Sequence, residues 1–159
     1  MALDSLLYLG PVGTAAAGCT ATVKAALMDA LALRDLPDFR AFKCAANADT
    51  RVMVGPAAAD EPPCVEAGIR ARVRVSFLCL DKSPDGVRRW CEGTVTATVA
   101  ALQRFDADAL LIATTDCPVL LRRRGTVTLL NHRRFWDPSG NPRLLAIVPE
   151  PYRIDGIAQ

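Results

Sequence analysis

Hydrophobic and polar residues follow two distinct rhythms along the chain, and each rhythm predicts a different element. From Thr20, a suitable helix N-cap, Val23, Leu27, Ala30 and Leu31 recur at helical spacing as far as Leu33, and Leu36-Pro37 ends the run. Between residues 69 and 80 the period shortens to two. Ile69, Ala71, Val73, Val75, Phe77 and Cys79 alternate with Arg70, Arg72, Arg74 and Ser76, which predicts a strand with one buried face and three arginines side by side on the other. Ser83-Pro84-Asp85 then supplies a cap and a first-turn proline. Val87, Trp90, Cys91, Val95, Val99 and Leu102 mark one face of a second helix running to about Arg104. The threonines and valines from Thr94 to Val99 favour helix weakly, so packing must hold it.

The remaining segments are shorter. Phe39–Cys44 and Arg51–Val54 read as strands around the turn-forming Ala46-Asn47-Ala48-Asp49. Residues 55–68, GPAAADEPPCVEAG, read as a surface loop rich in proline, glycine and acid. Ala109–Ala113, Val119–Arg123 and Thr126–Asn131 are strand candidates, the last two separated by Gly125. Asp137-Pro138-Ser139-Gly140-Asn141-Pro142 is a strong turn signal, and the apolar Arg143–Val148 after it is expected to be an edge strand closed by Pro149 and Pro151. Residues 10–18 are small and glycine-bearing. The organisation expected is therefore a flexible lead-in over 1–19, a single domain over 20–153 and a tail over 154–159, with an α+β fold of two helices packed on one face of a mostly antiparallel sheet.

Composition narrows the function classes. The 159 residues suit one domain, and 51% hydrophobic with 23% charged residues suits a folded one. Charged residues interrupt the longest Ala/Leu stretch well before the roughly 18 apolar residues that a membrane span needs. Met1–Leu9 carries Asp4 and no basic cluster, unlike an export signal. A net charge of +2 is too small for a dedicated nucleic-acid binder. Its distribution is uneven: residues 1–67 hold five basic and eight acidic side chains, and residues 68–159 hold fourteen and nine. The six cysteines are dispersed without a CxxC, which speaks for reduced structural thiols in a cytosolic setting rather than a zinc site or a disulfide framework.

Candidate chemistry is sparse. Cys117 or Cys91 with His132, the single histidine, would make a thiol nucleophile and base. Asp106, Asp108 and Asp116 flank the Ala109–Ala113 strand, where paired acids hold Mg²⁺ or act as acid and base, though helix-terminating loop residues account for Asp106 and Asp108 equally well. The phosphate-loop, dinucleotide, nucleophile-elbow and HExxH motifs do not occur, so no catalytic, metal-binding or cofactor-binding residue is assigned. The arginines remain: Arg70, Arg72 and Arg74 on the alternating strand, Arg88 and Arg89 at the second helix, Arg122, Arg123 and Arg124 before Gly125, and Arg133 and Arg134 before the turn. A plain solvated face, pairing with acids on another protein, and contact with nucleic-acid phosphates are the three uses open to them.

The arrangement resembles the tail terminator proteins of long-tailed bacteriophages. The likeness rests on an opening helix ending in Asp35-Leu36-Pro37, on Arg70–Leu80 leading into Val87–Arg104, and on His132-Arg133-Arg134-Phe135-Trp136-Asp137-Pro138-Ser139-Gly140 before a final apolar strand. The resemblance implies a non-catalytic virion protein without a cofactor, assembled in the bacterial cytoplasm as a homo-oligomeric, hexameric ring. Its partners would be the tail tube protein and a head-side connector, with DNA passing through the lumen. The acidic first half and basic second half would guide such head-to-tail pairing if folding keeps them apart. A different head–tail connector, a small cytosolic enzyme using Asp116 and Cys117, and a nucleic-acid-binding module are the alternatives.

Overall fold

In the computed structural model, residues 3–11, 19–114, 116–137 and 139–155 are described, the side chain of His132 excepted. The chain is a mixed α+β protein built on a nine-stranded, mostly antiparallel sheet. Its elements are β1 (Asp4–Leu9), α1 (Cys19–Leu31), β2 (Arg34–Phe39), β3 (Phe42–Ala46), β4 (Thr50–Pro56), α2 (Pro62–Glu66), β5 (Val73–Cys79) and α3 (Pro84–Arg104), then β6 (Ala109–Ala113), β7 (Cys117–Arg123), β8 (Thr126–Leu129), a π-helical turn (His132–Trp136), α4 (Arg143–Ile147) and β9 (Arg153–Ile154). Strand order is β2-β3-β4-β5-β1-β6-β7-β8-β9, and only β8 and β9 run parallel.

The lead-in expected over residues 1–19 gives way, at Asp4–Leu9, to the central strand. β1 pairs antiparallel with β5 on one side and β6 on the other. Leu7 and Leu9 join the main core, while Tyr8 between them packs into a second cluster with Cys64, Ile69, Ala71, Leu110 and Ile112. Apolar side chains on both faces are what β1 and β6 need, because the sheet is covered on both sides there. Residues 12–18 of that lead-in and 156–159 of the expected tail lie outside the described residues.

The main core gathers Val52, Val54, Val73, Val75, Phe77, Leu111 and Leu120 from the strands with Val23 and Leu27 of α1 and Val95 and Val99 of α3. α1 and α3 touch, and a Cβ at Gly93 would lie 3.6 Å from Leu31. Ser83 caps α3 as expected, its hydroxyl accepting from the Gly86 amide at 3.0 Å. Inside α3, Thr98 donates back to the Thr94 carbonyl at 2.8 Å, which satisfies a buried hydroxyl on a β-branched residue.

Four expectations are corrected. Arg143–Val148 forms α4 rather than a strand: the Asn141 side chain accepts from the Arg143 amide at 3.1 Å, and Leu144 and Val148, four apart, are the buried pair. Residues 55–68 are not all loop, since the end of β4 and α2 occupy part of them and Cys64 is fully buried. Pro37 does not merely stop a helix. It sits in β2, where an edge position and a register shift between Leu36 and Phe39 accommodate a residue without an N–H. The alternating strand begins at Val73, not Ile69. Ile69 and Ala71 belong to the cluster around Tyr8, and Val73 and Val75 to the main core, so the alternation breaks at Arg72 and the three arginines do not share one strand face.

Candidate functional site

The arginines separate into three kinds of surroundings. Arg122 and Arg89 are internal fasteners. Arg122 reaches from β7 to the end of α3, where its Nη1 donates to the carbonyls of Leu102 at 2.9 Å, Phe105 at 2.9 Å and Ala107 at 3.4 Å. Helix-end carbonyls have no partners within the helix, so a cation there satisfies them and meets the negative end of the dipole. Arg89 grips Asp49 through Nε and Nη2 at 3.0–3.2 Å and Asp81 at 2.9 Å, tying α3 to the β3–β4 turn. Bonding to the two carboxylates raises its pKa further. Arg74 lies 3.8 Å from Glu61 beside Tyr8, whose hydroxyl donates to the other Glu61 oxygen at 3.5 Å. Arg70 and Arg72 are exposed in the segment that leads into β5, where the Arg72 amide donates to the Leu9 carbonyl of β1 at 2.7 Å.

Two other groups do converge on concave surfaces. The first is at the β7–β8 hairpin. Leu121 pairs with Thr128 and Arg123 with Thr126, so alternation sets all four on the face that also carries Tyr8 and Leu110. Thr128 pairs in turn with Arg153 of β9. Arg124 sits in the turn at a left-handed φ of 49°, its amide held by the Asp108 carboxylate at 2.8 Å. Arg123, Arg124, Arg153, Thr126, Thr128 and Leu121 surround a hollow of about 380 Å³ with no acid in its lining. None of the three arginines belongs to any ion pair among the described residues. On the reverse side of the same edge, Val99, Leu102, Leu120, Val127, Val148 and Pro151 line an apolar groove of about 180 Å³. Arg153 was not among the arginines singled out in the sequence. Only the β8–β9 pairing reveals it, since it is isolated in a short tail segment.

The second group borders a cleft of about 620 Å³ between the start of α3 and residues 133–144, where Arg88, Arg133 and Arg134 stand above Val87, Cys91, Phe135 and Leu144. It adjoins a smaller cavity of about 210 Å³ that brings Cys91 and Cys117 together with Trp90, Phe135 and Arg134. The two thiol candidates thus share a cavity, but burial, with smaller effects from Cys79 and Glu92, pushes the Cys91 thiol up to about 11. At neutral pH it keeps its proton and is a poor nucleophile. The side chain of His132 lies outside the described residues. The three acids do not converge: Asp106 and Asp108 precede β6, Asp116 follows it, and Asp108 is occupied by the Arg124 amide. Among the described residues no three His, Cys, Asp or Glu side chains are grouped to hold a metal ion, and no helix is long and apolar enough to cross a membrane.

β2–β4 of the first half and β6–β9 of the second lie at opposite ends of the sheet, but β5 and β1 interleave the halves at its centre, and the charges of the two ends do not complement each other. Residues 34–56 hold four basic and three acidic side chains, while Asp60, Glu61 and Glu66 of the acidic half lie at α2, away from the β2 edge.

Fold and surface together define a mixed α+β protein whose unpaired arginines are displayed on a sheet edge and around a cleft. The family model described as SitI3-like matches residues 14–140, and the chain belongs to that family. No curated protein and no solved structure matches it. The match supplies no link to the tail terminators that the sequence pattern resembles.

Proposed function

We propose that this protein is a non-catalytic binding protein that holds an acidic partner protein at the β7–β9 edge of its sheet, with α1 and α3 as the helical layer closing the opposite face of the sheet. The carrying observation is the set of three arginines, Arg123, Arg124 and Arg153, with no carboxylate lining their hollow. Arg123 and Arg153 on paired strands and Arg124 in the turn between β7 and β8 repel one another, and an anionic partner removes that repulsion. A protein fits better than a nucleic acid. No aromatic ring lies in the hollow for a base to stack on, and the reverse side of the edge is apolar, which suits the mixture of arginine and hydrophobic contact found in protein interfaces.

Affinity purification of the tagged chain from cells of its source, at about 0.1 M salt, should retain one discrete protein with an acidic surface. The variant Arg123→Glu/Arg124→Glu/Arg153→Glu should lose it with an unchanged circular dichroism spectrum. Retention of nucleic acid instead, or of the same partner by the triple variant, would refute the proposal.

A ring-forming subunit of tail-terminator type is the second form of the same idea, favoured by a sheet whose edge strands among the described residues, β2 and β9, lie at opposite ends. Light scattering distinguishes it: a ring holds one oligomeric mass on dilution, and a monomer at every concentration rules it out.

A further inference from the structure

The cleft between α3 and residues 133–144 is separate from the sheet edge and has a different chemistry. Its floor is apolar, with Val87, Cys91 and Phe135 half-buried and Leu144 buried. Its rim carries three cations and two acids, and both acids are engaged locally. Asp85 is 2.9 Å from Arg88 one helical turn on, and Asp137 accepts from the Ser139 amide at 2.8 Å. Arg133 and Arg134 are exposed and belong to no ion pair among the described residues. The lining therefore carries a formal charge of +1, three cations less two acids, with Arg133 and Arg134 as the cations outside any ion pair among the described residues on an otherwise apolar floor. At about 620 Å³ the cleft is the size of a small-molecule site, for which about 300–1,000 Å³ is usual.

The geometry points to a binding site for a small organic anion, with an apolar body resting on Val87, Cys91, Phe135 and Leu144 and a carboxylate, sulfonate or phosphate held by Arg133 and Arg134. The adjoining cavity shares Cys91, Phe135 and Arg134 with the cleft and extends the apolar floor toward Trp90. A guanidinium pair favours an oxyanion because each presents a planar fork of donors. The apolar floor favours a ligand with a ring or chain over inorganic phosphate. Binding here does not depend on a partner at the sheet edge.

Two tryptophans make the site observable. Trp136 stacks edge-on against Phe135, ring centres 4.9 Å apart, and its indole N–H donates to the Val119 carbonyl at 2.8 Å. Trp90 lines the adjoining cavity, held by a bond to the Phe77 carbonyl at 3.2 Å. Anilinonaphthalenesulfonate, an apolar body with one anionic group, is the probe. Titrated into the full chain, it should give a saturable one-site rise in emission with quenching of tryptophan. Naphthoate should displace it at least tenfold better than naphthalenemethanol, which has the same body without the charge. Arg133→Ala/Arg134→Ala should weaken the probe roughly tenfold or more, as expected for losing charge-assisted bonds, and Val87→Phe should block it by filling the floor. Arg123→Ala/Arg153→Ala, at the distant edge, should bind as the parent does. A signal that does not saturate, equal displacement by the neutral compound, or unchanged binding in a natively folded Arg133→Ala/Arg134→Ala variant would overturn the assignment.

Discussion

Replacing Arg122 by alanine removes a fastener that closes the longest helix against the sheet. Its side chain is 14% exposed, so water neither screens the interaction strongly nor replaces it readily. Two carbonyls at 2.9 Å and one at 3.4 Å share a single nitrogen, Nη1, and their contributions do not add in full. One strong charge-assisted bond, together with the helix-end effect, gives a loss of about 2–4 kcal/mol. For a chain of this length that lowers the melting midpoint by about 5–15 °C. Lysine restores the charge without the planar fork, so Arg122→Lys should lie between the two, about 1–2 kcal/mol below the parent. Asp106 is 3.4 Å away and 99% exposed, so Asp106→Asn should leave the midpoint where it is. Urea unfolding followed by far-ultraviolet circular dichroism reads all three. An Arg122→Ala midpoint matching the parent, or Arg122→Lys and Arg122→Ala falling together, would refute the role given to the guanidinium fork.

Three further outcomes follow from local geometry. Gly86→Ala should destabilise the protein by about 2–4 kcal/mol in the same assay, since its Cβ would come 2.4 Å from the Asp81 carbonyl oxygen, a backbone atom that cannot swing away. Trp136→Phe should cost about 1–3 kcal/mol, because it opens space in the core and removes one of two donors to the Val119 carbonyl, which keeps the Leu130 amide at 2.9 Å. Cys64 and Cys91 both have thiols raised by burial to about 11. The folded state therefore holds protons that the unfolded state releases near pH 9, and stability should be fully present below pH 9 and fall as pH rises toward 11. Denaturation midpoints across that range check the sign, and Cys64→Ala/Cys91→Ala should flatten the slope.

Patterns longer than two turns or six residues were legible in the sequence. α3 was, because Ser83, Pro84 and a continuous apolar stripe agree on its start and its face. So were α1 and the strand after Val73. Short apolar runs were ambiguous for a physical reason: Leu-Leu-Ala-Ile at residues 144–147 satisfies either period, and the turn before it, where the Asn141 side chain accepts from the Arg143 amide, leads into helix. β1 escaped because its apolar run is equally brief and its partners are remote in the chain. Of the site, Arg133 and Arg134 were visible as a pair, but their closeness to Arg88 depends on how the π-helical turn packs against α3. Spacing cannot tell Arg122, which faces carbonyls, from Arg123 beside it, which faces the open hollow. Alternation along β7 sends neighbours to opposite sides, and only the sheet's covering determines which side holds the helix.

The central position of β1 bears on how the chain is made. On a ribosome, Asp4–Leu9 emerges long before Val73–Cys79 and still longer before Ala109–Ala113, the two segments that flank it. At about 5–20 residues per second, Ser-Leu-Leu-Tyr-Leu stays without either neighbour for several seconds, an apolar ribbon with both backbone edges open. During that interval it is a natural target for chaperones and for unintended strand partners. Synthesis in the presence of a holdase should therefore raise the yield of native protein more than the modest size of the chain would suggest.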